Sequence, residues 1–303
     1  LVIRAAWLYH ERGLNQQAVA DRLGISRSTI SRLLADAERE GIVRVTVTES
    51  LPETARLAED LIEIHGLEGA TVELALGNEA PMDAAATAMA RRLENMVAAG
   101  PTTIAAGWGR TLGRAAQIAR NMHTSGVILV DAFGHTTTEA IAPAVEVTNN
   151  LGLKFGANVI HIPSPGFAPS AEIAHNFLES ASVSTTLDRA RAADVVIVAV
   201  GVASMDSLLV SAGYLNEEAM ARLIAAGAVG EVFGRYFDIE GNDVMPDVRH
   251  PVSLSLDDLR SARRVIAAVG GTEKTAAIRG ALAAGIIDEL AVDDSLAKAL
   301  GTA

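Results

Sequence analysis

Over residues 15–41 the apolar positions follow the helical period and break once in the middle. Val19 and Leu23 lie four apart, and Ile30, Leu33, Leu34 and Ala37 fall at i, i+3, i+4 and i+7, the spacing of one helix face. Between the two runs stands Gly24, which tolerates the positive φ that ends a helix. Asn15 and Ser26 are placed to cap the two helices through their side-chain oxygens. The pattern predicts two helices with a sharp turn, Ala20 being small where they approach and Ile25, Ile30 and Leu33 filling the wedge. Residues 1–12 predict a supporting helix, with Val2, Ile3, Ala6 and Trp7 facing that unit and Gly13 ending it. After Gly41 the alternating, β-branched run IVRVTVT (42–48) predicts a short strand or wing. Leu51-Pro52 marks a boundary, and residues 53–65 predict a connecting helix closed by Gly66. Its Leu57, Leu61, Ile62 and His65 suit packing against a partner chain.

From about residue 69 the rhythm changes. ATVELAL, TTIAAG, GVILVDAF, NVIHIPSP, DVVIVAVG and RVIAAVGG read as short strands. Helical stretches stand between them: 82–99, from the GWGRTLG turn to about 122, 170–180, 185–192, 216–226 and 273–284. Most of these strands are continuous apolar runs rather than alternating ones, which marks strands buried on both faces. The prediction is a Rossmann-like, parallel α/β domain. The chain therefore divides into a helix-turn-helix unit (1–50), a linking helix (51–66) and a larger α/β domain (67–303).

Composition sharpens this picture. The chain has 303 residues, half of them hydrophobic, and no cysteine, so disulfides and thiolate chemistry are excluded. No signal peptide and no membrane-length apolar run is visible, so a cytoplasmic location is expected. The chain opens on Leu1 rather than Met, so a short native leader is expected ahead of it. A formal charge of −12 argues against nucleic acid until it is divided. Residues 1–50 hold seven arginines against six acids, and the rest of the chain carries the negative excess. Such a bihelical unit can lay its second helix in a DNA major groove, its first residues meeting base edges. Arg27 could reach guanine, and Ser26, Ser28, Thr29, Ser31 and Arg32 bases or phosphates, with Gln16 and Gln17 at the start of the preceding helix. The bland alternative is a helical hairpin with a solvated face. One modestly positive head predicts weak binding alone, so a homodimer or homotetramer is expected.

In parallel α/β sheets, ligands sit outside the carboxyl ends of the strands. Three turns there carry chemistry. Gly107-Trp108-Gly109-Arg110-Thr111-Leu112-Gly113 opens a helix with free N–H groups and a positive dipole end. Its last glycine falls one place late for a dinucleotide fingerprint, so a phosphate or sugar suits it better; a tight turn without ligand is the alternative. Gly270-Gly271-Thr272-Glu273-Lys274 again follows a strand, and Lys274 could meet a phosphate or a hydroxyl. Glu231, just after Gly230, is a natural acceptor for sugar hydroxyls, with Asp238 behind it. Asp206, in DSLLVSAGYL, lines the pocket or lies in a connecting loop. The seven histidines are scattered and form no ligand-spaced pair, so neither metal nor cofactor is expected.

In combination and order, SRSTISRLLADAEREGIV, GWGRTL, DVVIVAVG, DSLLVSAGYL, GAVGEVFGRYFD and RVIAAVGGTEKTAAIRGAL resemble the SorC/DeoR family of sugar-responsive bacterial transcription regulators over essentially the full length. The resemblance implies a winged-helix-like reading head on a sugar-binding domain similar to sugar-phosphate isomerases and deaminases, in dimers or tetramers. It implies that Gly107 to Leu112 match the family's phosphate or sugar loop and that Glu231 and Lys274 match effector-touching positions. One stretch departs from the family: Gly134-His135-Thr136-Thr137-Thr138 stands where a paired glycine is usual. His135 could contact ligand or stand in an exposed loop. The expectation is a regulator of a carbohydrate pathway, not an enzyme, binding duplex operator DNA and a sugar or sugar-phosphate effector. A sugar-phosphate isomerase or deaminase with an appended DNA-binding domain is the competing class; Glu231 is its foremost candidate acid–base, with Asp206 and His135 behind it, and no compact catalytic motif is present.

Overall fold

A computed structural model describes residues 1–43, 52–77, 79–122, 124–136, 143–244 and 250–301. The chain forms two compact units, Leu1–Leu51 and Pro52–Ala303. In the first, helix α1 (Val2–Ala6) runs into a π-helical turn (Trp7–Glu11), where the Arg12 guanidinium lies 4.6 Å above the Trp7 ring. The single helix read for residues 1–12 is thus an α-helical start with a wider finish. Helices α2 (Gln16–Leu23) and α3 (Arg27–Arg39) follow. Asn15 Oδ1 accepts the Ala18 N–H at 2.9 Å, and Ser26 Oγ that of Thr29 at 3.2 Å. Between the helices, Gly24 adopts φ +70°, a conformation that costs any residue bearing a Cβ about 1 kcal/mol or more. Ala5, Ala6, Leu8, Val19, Ala20, Ile30, Leu34 and Ala37 form a core of their own. The strand or wing read for residues 42–48 lies, from residue 44 on, outside the described residues.

The second unit is built on seven parallel strands: β1 (Gly69–Glu73), β2 (Thr103–Ala106), β3 (Ile128–Asp131), β4 (Asn158–Ile160), β5 (Val195–Ala199), β6 (Val265–Val269) and β7 (Glu289–Asp293). Their spatial order is β1-β7-β6-β5-β2-β3-β4. Successive residues of a central strand enter opposite cores. Ile104 and Ala106 of β2 join one with α5 (Pro81–Ala99), α6 (Arg110–Ile118) and α7 (Ala144–Phe155), while Ala105 joins the other. Burial on both faces explains why these strands read as continuous apolar runs.

Several elements depart from the sequence reading, among them the unforeseen helix Asp294–Gly301. Helix α7 was not foreseen; Val147, Leu151 and Phe155 bury one stripe of it, so packing overrides its Asn, Gly and β-branched content. Strand β7 was also not foreseen, because Glu289 and Asp293 stand in it. Both are buried and answered: Arg92 forks onto Glu289 at 2.6 and 2.9 Å, and Asp293 accepts the Gly271 N–H at 2.8 Å. Helix α4 (Glu53–His65) forms, but Leu57 and Leu61 are buried in the chain's own core with Ile62 packed against it. His65 Nε2 lies 3.2 Å from the Leu300 carbonyl. Its apolar face is therefore occupied within the chain.

Candidate functional site

Strands β2, β3 and β4 progress in one direction across the sheet, and the chain then returns to lay β5 on the other side of β2. That reversal leaves a crevice between the carboxyl ends of β2 and β5, the usual ligand position in such sheets. A cavity of about 440 Å³ occupies it. Trp108, Gly109, Arg110 and Thr111 come from the end of β2 and the start of α6, and Ala199 to Val202 from the end of β5. Gly270, Glu273 and Lys274 follow β6, and Asp206 and Glu231 close the other side.

Glu231 enters from a four-stranded antiparallel sheet beside the main one, paired across to Gly201 and Tyr236. Its Oε1 lies only 2.3 Å from where a Cβ on residue 201 would stand, so glycine at 201 makes room for the carboxyl. Its Oε2 accepts the Gly234 N–H at 2.8 Å. Phe233 and Gly234 form the turn of this hairpin with φ +56° and +73°; Phe233 is the one non-glycine with positive φ among the described residues. The Phe233 ring packs where a Cβ on Gly107 would be and joins an aromatic cluster with Trp108, Phe133, Phe167 and Tyr214 behind the cavity.

Electrostatically the site is strained toward neutrality. Burial pushes the Glu231 carboxyl up to about 7, against the pull of the Gly234 N–H and the Lys274 ammonium. Burial likewise lowers Lys274; Glu231 and Glu273 act in the opposite sense, and Arg110 adds to the lowering. Lys274 Nζ donates to the Val200 carbonyl at 3.3 Å. A half-buried ammonium and a fully buried carboxyl facing one cavity suit a polar, multiply hydroxylated ligand.

Of the residues singled out from sequence, Trp108, Gly109, Arg110, Thr111, Asp206, Glu231, Gly270 and Lys274 line this one cavity. Three others stand outside its walls. Gly107 donates its N–H to the Ile197 carbonyl and seats Phe233. Leu112 is buried beneath α6 in the core. Gly271 is tied to Asp293. Asp238 instead closes a hairpin, accepting from the Asn242 backbone and side chain. His135 is exposed, bridged to Pro165, and Thr137 and Thr138 fall outside the described residues. Sequence reasoning missed Met82, Ser204, Glu273 and the Gly201 backbone. Met82 and Ser204 carry no local signal, whereas Glu273 lies inside the glycine turn that precedes Lys274.

On the first unit, Arg27, Ser28, Ser31 and Arg32 are exposed along one face of α3. Thr29 is half-buried, and its hydroxyl lies 2.8 Å from Ser26 Oγ, within the cap. Gln17 is exposed with its amide on Asp21 at 2.9 Å, and Gln16 is half-buried. Both border an open groove of about 850 Å³ with Arg27, His10 and Tyr9.

An exposed, arginine-bearing second helix and a cavity at the switch point of a parallel sheet define a class: helix-turn-helix regulators with an α/β ligand-binding domain. Comparison makes this specific. The family described as "Putative sugar-binding domain" matches residues 50–300, and a "Homeodomain-like domain" matches residues 1–45. The erythritol catabolism regulatory protein EryD of Brucella abortus (strain 2308) is 30% identical over 99% of this chain and 96% of its own length. The transcriptional regulator LsrR of Enterobacter sp. (strain 638) is 30% identical over 99% of this chain and 92% of its own. The full-length sorbitol operon regulator SorC from Klebsiella pneumoniae superposes with a TM-score of 0.75 at 26% identity, covering 99% of this chain and 98% of that one. The chain belongs to the SorC/DeoR family of sugar-responsive bacterial transcriptional regulators. Among the described residues no helix is long and apolar enough to cross a membrane.

Proposed function

We propose that this chain is a DNA-binding regulator of a carbohydrate pathway whose operator affinity is set by a sugar or sugar-phosphate effector bound at the ends of β2, β5 and β6. The observation that carries the reading is the convergence of Glu231, Lys274 and the α6 start on one cavity, in a chain that also exposes Arg27, Ser31 and Arg32 on α3. The relatives point the same way: one is named for erythritol catabolism and another for a sorbitol operon. In this reading Arg27, Ser28, Ser31 and Arg32 meet the major groove. Gln16, Gln17 and the cap residues Ser26 and Thr29 hold the head on the phosphates. Weak binding per head makes the working unit a homodimer or homotetramer in the cytoplasm. Effector binding shifts DNA affinity by a coupling of about 1–3 kcal/mol. An electrophoretic shift on DNA upstream of the protein's own gene, with and without sugars and sugar phosphates, tests this. We expect a specific complex whose midpoint moves with one compound; no specific complex under any condition removes the proposal.

One observation favours a second reading. A carboxyl held at about 7 beside a cavity lies in the range useful to a general base. Turnover would appear as deuterium exchange into a sugar phosphate followed by NMR, and we expect none.

A further inference from the structure

We infer that the effector is an uncharged polyhydroxy compound, a free sugar or polyol, and that the acidic side chains around the cavity select against its phosphate ester. The inference rests on the reading of the cavity as the effector site, and it names the class of ligand that the cavity takes.

The charged groups on the walls carry the argument. Asp206, Glu231 and Glu273 stand against Arg110 and Lys274. A site built for a phosphate dianion needs cations to spare, and here the Asp206 and Glu273 carboxylates already match the two cations, with Glu231 adding negative charge whenever it is ionised. The two cations are not equally available. Lys274 is half-buried, tethered to the Val200 carbonyl, and acted on more strongly by Glu231 and Glu273 than by Arg110. Its charge is already answered from within the protein. Arg110 is exposed, where solvent weakens what one guanidinium contributes. The uncapped first turn of α6, with Gly109 preceding it, offers N–H donors that serve a hydroxyl oxygen as well as a phosphate oxygen. A dianion on that turn shares the cavity with the Asp206 and Glu273 carboxylates, and like charges at cavity distances oppose it.

The remaining polar groups are those that read hydroxyls. Glu231 keeps Oε2 on the Gly234 N–H and turns Oε1 toward Gly201 at the cavity wall. Near neutral pH it occurs both with and without its proton, so it can accept from one hydroxyl and donate to another. Thr111, Ser204 and Ser207 add neutral hydroxyls to the walls, while Trp108, Leu208 and Leu209 give the apolar surface against which the C–H faces of a carbohydrate pack.

The test is calorimetric titration of the full chain with erythritol, ribose and glucitol, each beside its terminal phosphate ester. It is repeated on the double variant Asp206→Asn, Glu273→Gln, whose changes fall on exposed side chains and leave the core intact. We expect one free compound to bind, its ester to bind more weakly by on the order of tenfold or more, and the gap to narrow in the double variant. An ester that binds more tightly than its free partner overturns the inference while leaving the cavity as the effector site. A gap unchanged in the double variant also overturns it. No heat with any compound removes the cavity as a carbohydrate site, and the inference falls with it.

Discussion

Glu231 shows how one residue's position fixes its chemistry. Glycine at 201 lets the carboxyl lie flat against the neighbouring strand, and the hairpin turn at Phe233 and Gly234 returns an N–H to Oε2. The same enclosure strips it of water, so its folded pKa stands at about 7, above its ordinary 4.5. The folded state therefore holds this proton where the unfolded chain has lost it. Stability from the proton is complete below about pH 4.5, falls as pH rises toward 7, and is gone above. The shift corresponds to about 3 kcal/mol. Glu231→Gln keeps the shape and the acceptor oxygen but cannot ionise. Urea unfolding of both proteins between pH 5 and 8 should show the variant gaining on the parent as pH rises toward 7 and levelling off above. A difference that does not change with pH would mean that the ionised carboxylate is solvated or paired in the fold.

The elements divide by how local their causes are. In α3 the cap, the glycine turn and the apolar stripe all lie within a few residues of one another, and sequence spacing was enough to place them. That closeness also separates two roles on the helix. Ser26 Oγ takes the Thr29 N–H and gathers the Ser28 and Thr29 hydroxyls at 2.9 and 2.8 Å, whereas the Arg27 guanidinium stands exposed. Ser26→Ala should lower the stability of the head by about 1 kcal/mol, seen as an earlier melt by circular dichroism. Arg27→Ala should leave the melt unchanged and weaken operator binding by about 1–3 kcal/mol, with relaxed selectivity at one base pair. Binding that keeps its full selectivity would take Arg27 out of base readout. Elements with distant causes were less legible. Strand β7 carries acids made tolerable by Arg92 and Arg264, by the turn after β6 and by the start of the following helix, and of these partners only the last lies near β7 in sequence. The strand order follows from pairings such as Gly69 with Glu289, far apart along the chain. The cavity divides the same way: Arg110, Glu231 and Lys274 could be read because glycines precede them at strand ends or turns. Met82 and Ser204 reach it only through the path of the chain.

At the scale of the whole molecule, the two units have separate cores. The head's cluster runs from Ala5 to Ala37, and the clusters on the two faces of the sheet begin at Leu57. Every residue lining the cavity belongs to Pro52–Ala303, and every residue proposed to read DNA belongs to Leu1–Leu51. A regulator so divided stores its function in a coupling free energy, and coupling is reciprocal. If an effector changes operator affinity by some factor, operator DNA must change effector affinity by the same factor, expected between about 5 and 150. Titrating the effector into the full chain with and without saturating operator measures this directly. A fragment of residues 52–303 should bind effector and ignore the DNA, since its cavity is complete and its reading helix is gone. Equal factors in the two directions, together with a silent fragment, mark the coupling as an equilibrium property of the full chain that needs the head. An effector affinity that operator DNA leaves untouched, while the effector still moves operator binding, would break that thermodynamic cycle. The gating would then have to come from another event, such as a change in assembly.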